Sequence, residues 1–153
     1  MGRTDEAELL VNASPESVYA ALTSADSVVR WLPPEGMTGS IEHFDARTGG
    51  RYRMTLTYAD ATEAPGKSSA DEDVVEGRFV EVTPDVRVVQ EIEFESVDPS
   101  YAGVMRMIWE VSAQDTRTVV VFRAEDVPSG ISAEDHIDGL TSSLRNLAAL
   151  VES

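Results

Sequence analysis

The sequence predicts an α+β fold in which a curved antiparallel sheet of about seven strands wraps a long C-terminal helix. Three observations carry this reading. From Arg51 to Tyr58 the chain alternates, with Tyr52, Met54, Leu56 and Tyr58 on one side and Arg51, Arg53, Thr55 and Thr57 on the other. That is the period of a half-buried strand. The last segment places Ile137, Leu140, Leu144, Leu147 and Val151 at steps of three and four, the period of one amphipathic helix. Between the two, strand-like runs follow one another across turn-prone stretches in meander order.

Taken in order, Ala7 to Asn12 carries Leu9, Leu10 and Val11 and suits a short strand. A helix starts next. Ser14 is placed to accept a backbone N–H as N-cap, Pro15 suits the first helical position, and Val18, Ala21 and Leu22 form one apolar face. A second short helix is expected over Ala25 to Trp31, because Pro33 and Pro34 forbid its continuation. Strand signals begin at Ile41 to Ala46, and the Gly49-Gly50 pair reads as the turn into the alternating run. Residues 59–73 lack periodicity and read as an exposed loop. Further strands are expected over Val74 to Val82, Val86 to Glu95, Val104 to Ala113 and Arg117 to Glu125. Ser132 and Asp135 stand at capping-box spacing ahead of the last helix. At 1.5 Å per residue its roughly 20 residues reach about 30 Å, close to the span of about nine strand residues.

At 153 residues, 42% hydrophobic and 26% charged, the chain fits one domain over residues 1–153. The absence of cysteine excludes disulfides, thiolate nucleophiles and thiolate metal sites. No apolar leader follows the first residues and no stretch approaches a membrane span. The expectation is a cytoplasmic chain without membrane insertion. Twenty-eight acidic residues against 12 basic give a net charge of −16, a field that repels phosphate backbones and argues against nucleic acid. Eleven of the basic residues are arginine, with Lys67 the lone lysine.

The chemistry-bearing signals are sparse. There is no GxSxG, HExxH, GxGxxG or P-loop. His43 and His136 lack acidic or histidine neighbours at metal-ligand spacing, so neither a metal nor another cofactor is expected. Glu91 and Glu93 share the strand face opposite Gln90, Ile92 and Phe94, and the inward sets identified from alternation contain no carboxylate. This argues against acid–base catalysis and names no catalytic residue. Met54, Met105, Met107, Trp109 and Val111 face inward beside the polar Gln90, a composition shared by small-molecule pockets and ordinary cores.

Several local motifs resemble the START-related (SRPBCC) superfamily, and within it the branch similar to activators of the heat-shock protein 90 ATPase. They are Val11-Asn12-Ala13-Ser14-Pro15-Glu16-Ser17-Val18-Tyr19, Trp31 followed by Pro33, Pro34 and Gly36, and Phe44-Asp45 with Arg47, Gly49, Gly50, Arg51 and Tyr52. Glu76-Gly77-Arg78-Phe79-Val80-Glu81-Val82-Thr83-Pro84 and the final His136, Asp138, Gly139 and Leu144 continue the resemblance. Leu140 stands where that family usually has tryptophan. The resemblance implies a helix-grip fold, with two short helices after the first strand and a cavity between sheet and long helix. Its relatives include lipid carriers, polyketide cyclases and aromatases, hormone and allergen-type binders, and co-chaperone domains. Fold alone does not choose among these.

Together these readings favour a binding or carrier protein for a small apolar or aromatic ligand. The candidate ligand contacts are Trp31, Met54, Met107, Trp109 and Leu144, with Gln90 or Tyr58 orienting a polar group of the ligand. A cyclase- or aromatase-like enzyme and a module that modulates a chaperone ATPase are the alternatives. An edge strand offers a route to a homodimer.

Overall fold

The computed structural model describes residues 2–34, 36–59 and 72–152. One seven-stranded antiparallel sheet runs in the order β1-β7-β6-β5-β4-β3-β2. Its strands are β1 (Arg3–Val11), β2 (Met37–Phe44), β3 (Arg51–Tyr58), β4 (Glu72–Thr83), β5 (Arg87–Phe94), β6 (Val104–Gln114) and β7 (Arg117–Val127). Helices α1 (Pro15–Leu22) and α2 (Ala25–Trp31) separate β1 from β2, and α3 (Ala133–Glu152) closes the chain.

The meander expected from sequence holds from β2 to β7, but β1 leaves it. It pairs with β7, from Arg3↔Val127 to Val11↔Thr118, so α1 and α2 carry the chain from one edge of the sheet to the other. β1 also starts four residues before the expected Ala7, because Asp5 occupies a buried position and breaks the apolar period there. β2 starts at Met37 and not Ile41, its first half being the polar edge Thr38-Gly39-Ser40. β4 starts at Glu72, inside the segment expected to be loop, while 60–71 lie outside the described residues.

Local chemistry explains the other boundaries. The Ser14 side chain accepts from the Ser17 N–H, with Pro15 opening α1. α2 ends at Trp31 ahead of Pro33 and Pro34. Ser132 Oγ accepts from the Asp135 N–H at 3.1 Å and starts α3. At the β2–β3 turn a side chain on Gly50 would sit 1.9 Å from the Asp45 carbonyl oxygen, so only glycine fits.

The sheet's two faces differ in chemistry. Arginine–glutamate pairs cover the outer face: Arg53 reaches Glu76, Glu95 and Glu42, Glu91 bridges Arg78 and Arg106, and Arg123 bridges Glu6 and Glu110. These bridges touch every strand. The inner face buries Met54, Phe79, Met105, Met107, Trp109 and Phe122 against Leu140, Leu144 and Leu147 of α3. α3 runs closest to β1 and to α1 and α2, and long side chains fill the space between it and the middle strands.

Candidate functional site: an aromatic slot beneath the second helix

Where α2 lies over the sheet, a slot of about 20 Å³ remains, lined by Leu22, Val28, Trp31, Leu32, Phe44, Tyr52, Gln90 and Trp109. That is room for about one water. Leu32, Phe44 and Gln90 keep partial exposure, whereas the other lining residues are buried. The slot therefore reaches solvent between the end of α2 and the end of β2.

Each wall has a local cause. Alternation on β3, β5 and β6 turns Tyr52, Gln90 and Trp109 inward. Trp31 meets Trp109 edge-to-face with ring centroids 4.9 Å apart, while Trp109 stacks on Phe122. The Trp31 indole N–H donates to the Ala21 carbonyl at 2.9 Å. This bond ties α2 back onto the end of α1. Two α3 side chains then hold α2's last carbonyls: Ser143 Oγ donates to Leu32 O at 2.6 Å, and Asn146 Nδ2 to Trp31 O at 3.3 Å and Pro33 O at 3.0 Å. They satisfy acceptors that a helix end otherwise leaves open.

Tyr52 lies flat on the sheet over Gly77, where an added Cβ would come within 2.1 Å of its ring. Its buried hydroxyl donates to Gln90 Oε1 at 3.0 Å. Burial pushes that hydroxyl well above the ordinary tyrosine value, so it stays a neutral donor. The hydroxyl proton needs an acceptor and Gln90 supplies it, which fixes the amide with its nitrogen turned the other way. Among the described residues, no group accepts from that nitrogen.

Of the residues singled out from sequence, Trp31, Gln90 and Trp109 come together here. Met54, Met107 and Leu144 are buried in the core but do not line the slot. Tyr58 stands at the opposite end of β3, beside an open depression of about 350 Å³ lined by Gly36, Met37, Thr38, Thr57, Tyr58 and Ala59. Its hydroxyl donates to Asp73 Oδ2 at 2.8 Å. Burial, then the Asp73 charge, raises the Tyr58 hydroxyl above the ordinary tyrosine value. Asp73 is buried on the inner face, so the expectation that no carboxylate points inward is corrected. Alternation cannot show it, because Asp73 falls in the segment that reads as loop.

Sequence reasoning leaves Tyr52, Phe44, Leu22, Val28 and Leu32 out of the site. Tyr52 has a signal, a strand aromatic facing a strand glycine, Gly77, across the ladder. A second cluster has none: Asp5, 3% exposed, accepts from Arg3 at 3.0 and 3.1 Å and meets His136 Nδ1 at 2.7 Å across 131 residues of chain. No three of His, Asp and Glu gather as metal ligands among the described residues, and none of the described helices is long and apolar enough to cross a membrane.

A curved antiparallel sheet closed on a C-terminal helix, with a small aromatic slot between the sheet and α2, defines a helix-grip protein of the SRPBCC type. The chain belongs to the Activator of Hsp90 ATPase homolog 1-like protein family, whose model matches residues 12–152. Protein CV1439 from Chromobacterium violaceum is similar at a TM-score of 0.85 and 29% identity, over 98% of this chain and 97% of that one. A protein from Rhodobacter sphaeroides is similar at 0.74 and 18%, over 99% and 94%. DynU16, from the dynemicin biosynthetic locus, is similar at 0.69 and 18%, over 98% of this chain and 47% of its own. The last two likenesses concern the fold alone. None of the curated proteins compared with the chain matches it.

Proposed function

We propose that the chain binds a small apolar or aromatic molecule in the slot between α2 and the sheet, as a carrier or receptor and not as a catalyst. The observation that carries this is the half-open slot, walled by Trp31, Phe44, Tyr52 and Trp109 around a single amide, Gln90. Apolar walls with few polar groups are what ligand sites offer. At about 20 Å³ the slot has room for about one water, so a ligand enters only as α2 lifts. The bonds from Ser143 and Asn146 to the end of α2 resist that motion.

Native mass spectrometry of freshly purified protein tests the reading without requiring the ligand's identity to be guessed. A co-purifying small molecule that is lost on denaturation is the expected result. An empty protein that also fails to bind any of a broad panel of aromatic compounds sinks the reading.

A cyclase-like enzyme is the second reading, and the buried Asp73 beside the Tyr58 hydroxyl favours it, since acid–base work needs an ionisable group inside. That pair does not line the slot, which is why binding comes first. Turnover of a bound compound that Asp73→Asn abolishes would reverse the order.

A further inference from the structure

Gln90 gives the slot a direction that its apolar walls do not. The amide sits mid-strand on the inner face, its oxygen is occupied by the Tyr52 hydroxyl at 3.0 Å, and no described residue accepts from its nitrogen. Two N–H donors on one nitrogen are therefore left beside an aromatic-walled space that reaches solvent. Gln90 is partly exposed, so that nitrogen reaches water, and a ligand that accepts from it exchanges a water hydrogen bond for a direct one in a drier place.

The missing partner is an acceptor, and its charge can be argued. No cationic side chain lines the slot, and the chain carries a net charge of −16. A carboxylate or phosphate would enter against that field with nothing to neutralise it. The Tyr52 hydroxyl, already spent on Gln90, offers the ligand no second proton. Four ring-bearing walls, two of them indoles set edge-to-face, favour a flat ring system over a flexible chain.

We infer that the slot selects a planar aromatic compound bearing a neutral carbonyl oxygen, which accepts a hydrogen bond from Gln90 Nε2 while the ring lies among Trp31, Phe44, Tyr52 and Trp109. This rests on the ligand-binding reading above and sharpens it. Tyr52 and Gly77 become positioning residues: Gly77 lets the Tyr52 ring lie flat, and Tyr52 fixes which way the amide points.

The test compares acetophenone with cumene, similar in size and shape but without the oxygen, by 15N-resolved NMR titration of the full chain. The reporters are the indole N–H signals of Trp31 and Trp109, the chain's two tryptophans, and the Gln90 side-chain amide, assigned by its loss in Gln90→Leu. Acetophenone is expected to bind at least about fivefold tighter, the worth of one neutral hydrogen bond, and to move the Gln90 amide protons downfield. Cumene should move the indole signals only. Gln90→Leu should bring the affinity ratio to about one. Should that variant unfold, the double variant Tyr52→Phe/Gln90→Leu, which removes both polar partners together, serves in its place. Equal binding of both compounds to the unaltered protein, or a preference for the ketone that survives loss of Gln90, overturns the inference and leaves the ligand reading standing. Binding of neither overturns both.

Discussion

Two polar places inside the grip invite comparison, because one is saturated and the other is not. Near the start of α3, Asp5 accepts from Arg3 twice and meets His136, while Arg3 also donates to the Ile131 carbonyl at 2.6 Å. That cluster gathers around a buried carboxylate, and it pins the first turn of α3 to β1. Beneath α2, Tyr52 and Gln90 form a neutral pair with the amide nitrogen left over. A buried carboxylate met from two sides does structural work, since its removal takes the acceptor from both Arg3 and His136. An open neutral pair leaves a donor for a ligand to meet.

The largest effect should come from breaking the carboxylate cluster. Asp5→Ala removes the acceptor that Arg3 and His136 share and is expected to cost about 2 kcal/mol, within the range for hydrogen bonds to a charged group and held down because Arg3 is partly exposed, read by urea denaturation at pH 7. Burial pushes the Asp5 carboxyl up, but the hydrogen bonds and charges of Arg3 and His136 outweigh it and hold it below the ordinary carboxylate value. A folded-state value below the unfolded one adds stability that is fully present above the unfolded value and is lost as pH falls through the folded one. The wild type should therefore lose stability through the acidic carboxylate range more steeply than Asp5→Ala. Parallel pH profiles would show that Asp5 is not the linked group.

Next in size is the clasp over the slot. Ser143→Ala with Asn146→Ala removes the side-chain donors from the end of α2 and should cost about 1–2 kcal/mol together. It should also raise the hydrogen-exchange rate of the Trp31 indole N–H, which sits under the lifted segment. A stability loss without faster exchange there would place the clasp outside the opening motion.

The surface contributes less. Arg123 joins Glu6 and Glu110 across β7, β1 and β6 at the sheet's outer face. Arg123→Met should change stability by about 1 kcal/mol or less, and the difference should shrink in 1 M salt, because partly exposed pairs are weak and screened. An undiminished difference in high salt would mean that the aliphatic packing of Arg123 matters more than its charge.

The sequence made the regular elements legible wherever side-chain period and burial agree. Residues 51–58 and the 140–147 stripe of α3 read directly, and α2 ends where its prolines require. Period failed where a polar residue holds an inward position, as at Asp5 and Asp73, or where an edge strand is polar, as at Thr38 and Ser40. The slot was half legible, since alternation turned Trp109 and Gln90 inward. It could not show that Tyr52 occupies the Gln90 oxygen, a contact spanning 38 residues. Pairings such as Asp5 with His136 depend on which strand lies beside which helix, and no local pattern encodes that.

The smallest net change belongs to a double variant, and it separates the two polar places most sharply. Gln90→Leu alone takes the acceptor from the buried Tyr52 hydroxyl and should cost about 1–2 kcal/mol. Tyr52→Phe added to it removes the stranded hydroxyl, and the double variant should return to within about 0.5 kcal/mol of the wild type, because replacing both partners by apolar groups is close to neutral. The matching pair at the other end, Asp5→Ala with His136→Ala, should not recover in this way, since Arg3 remains and the first turn of α3 loses its tie to β1. A double-mutant cycle at each place measures the contrast. Recovery in the slot together with loss at Asp5 means that Tyr52 and Gln90 stabilise only each other, and that the fold does not require them. A residue pair dispensable to the fold yet set among four aromatic rings is available for recognition.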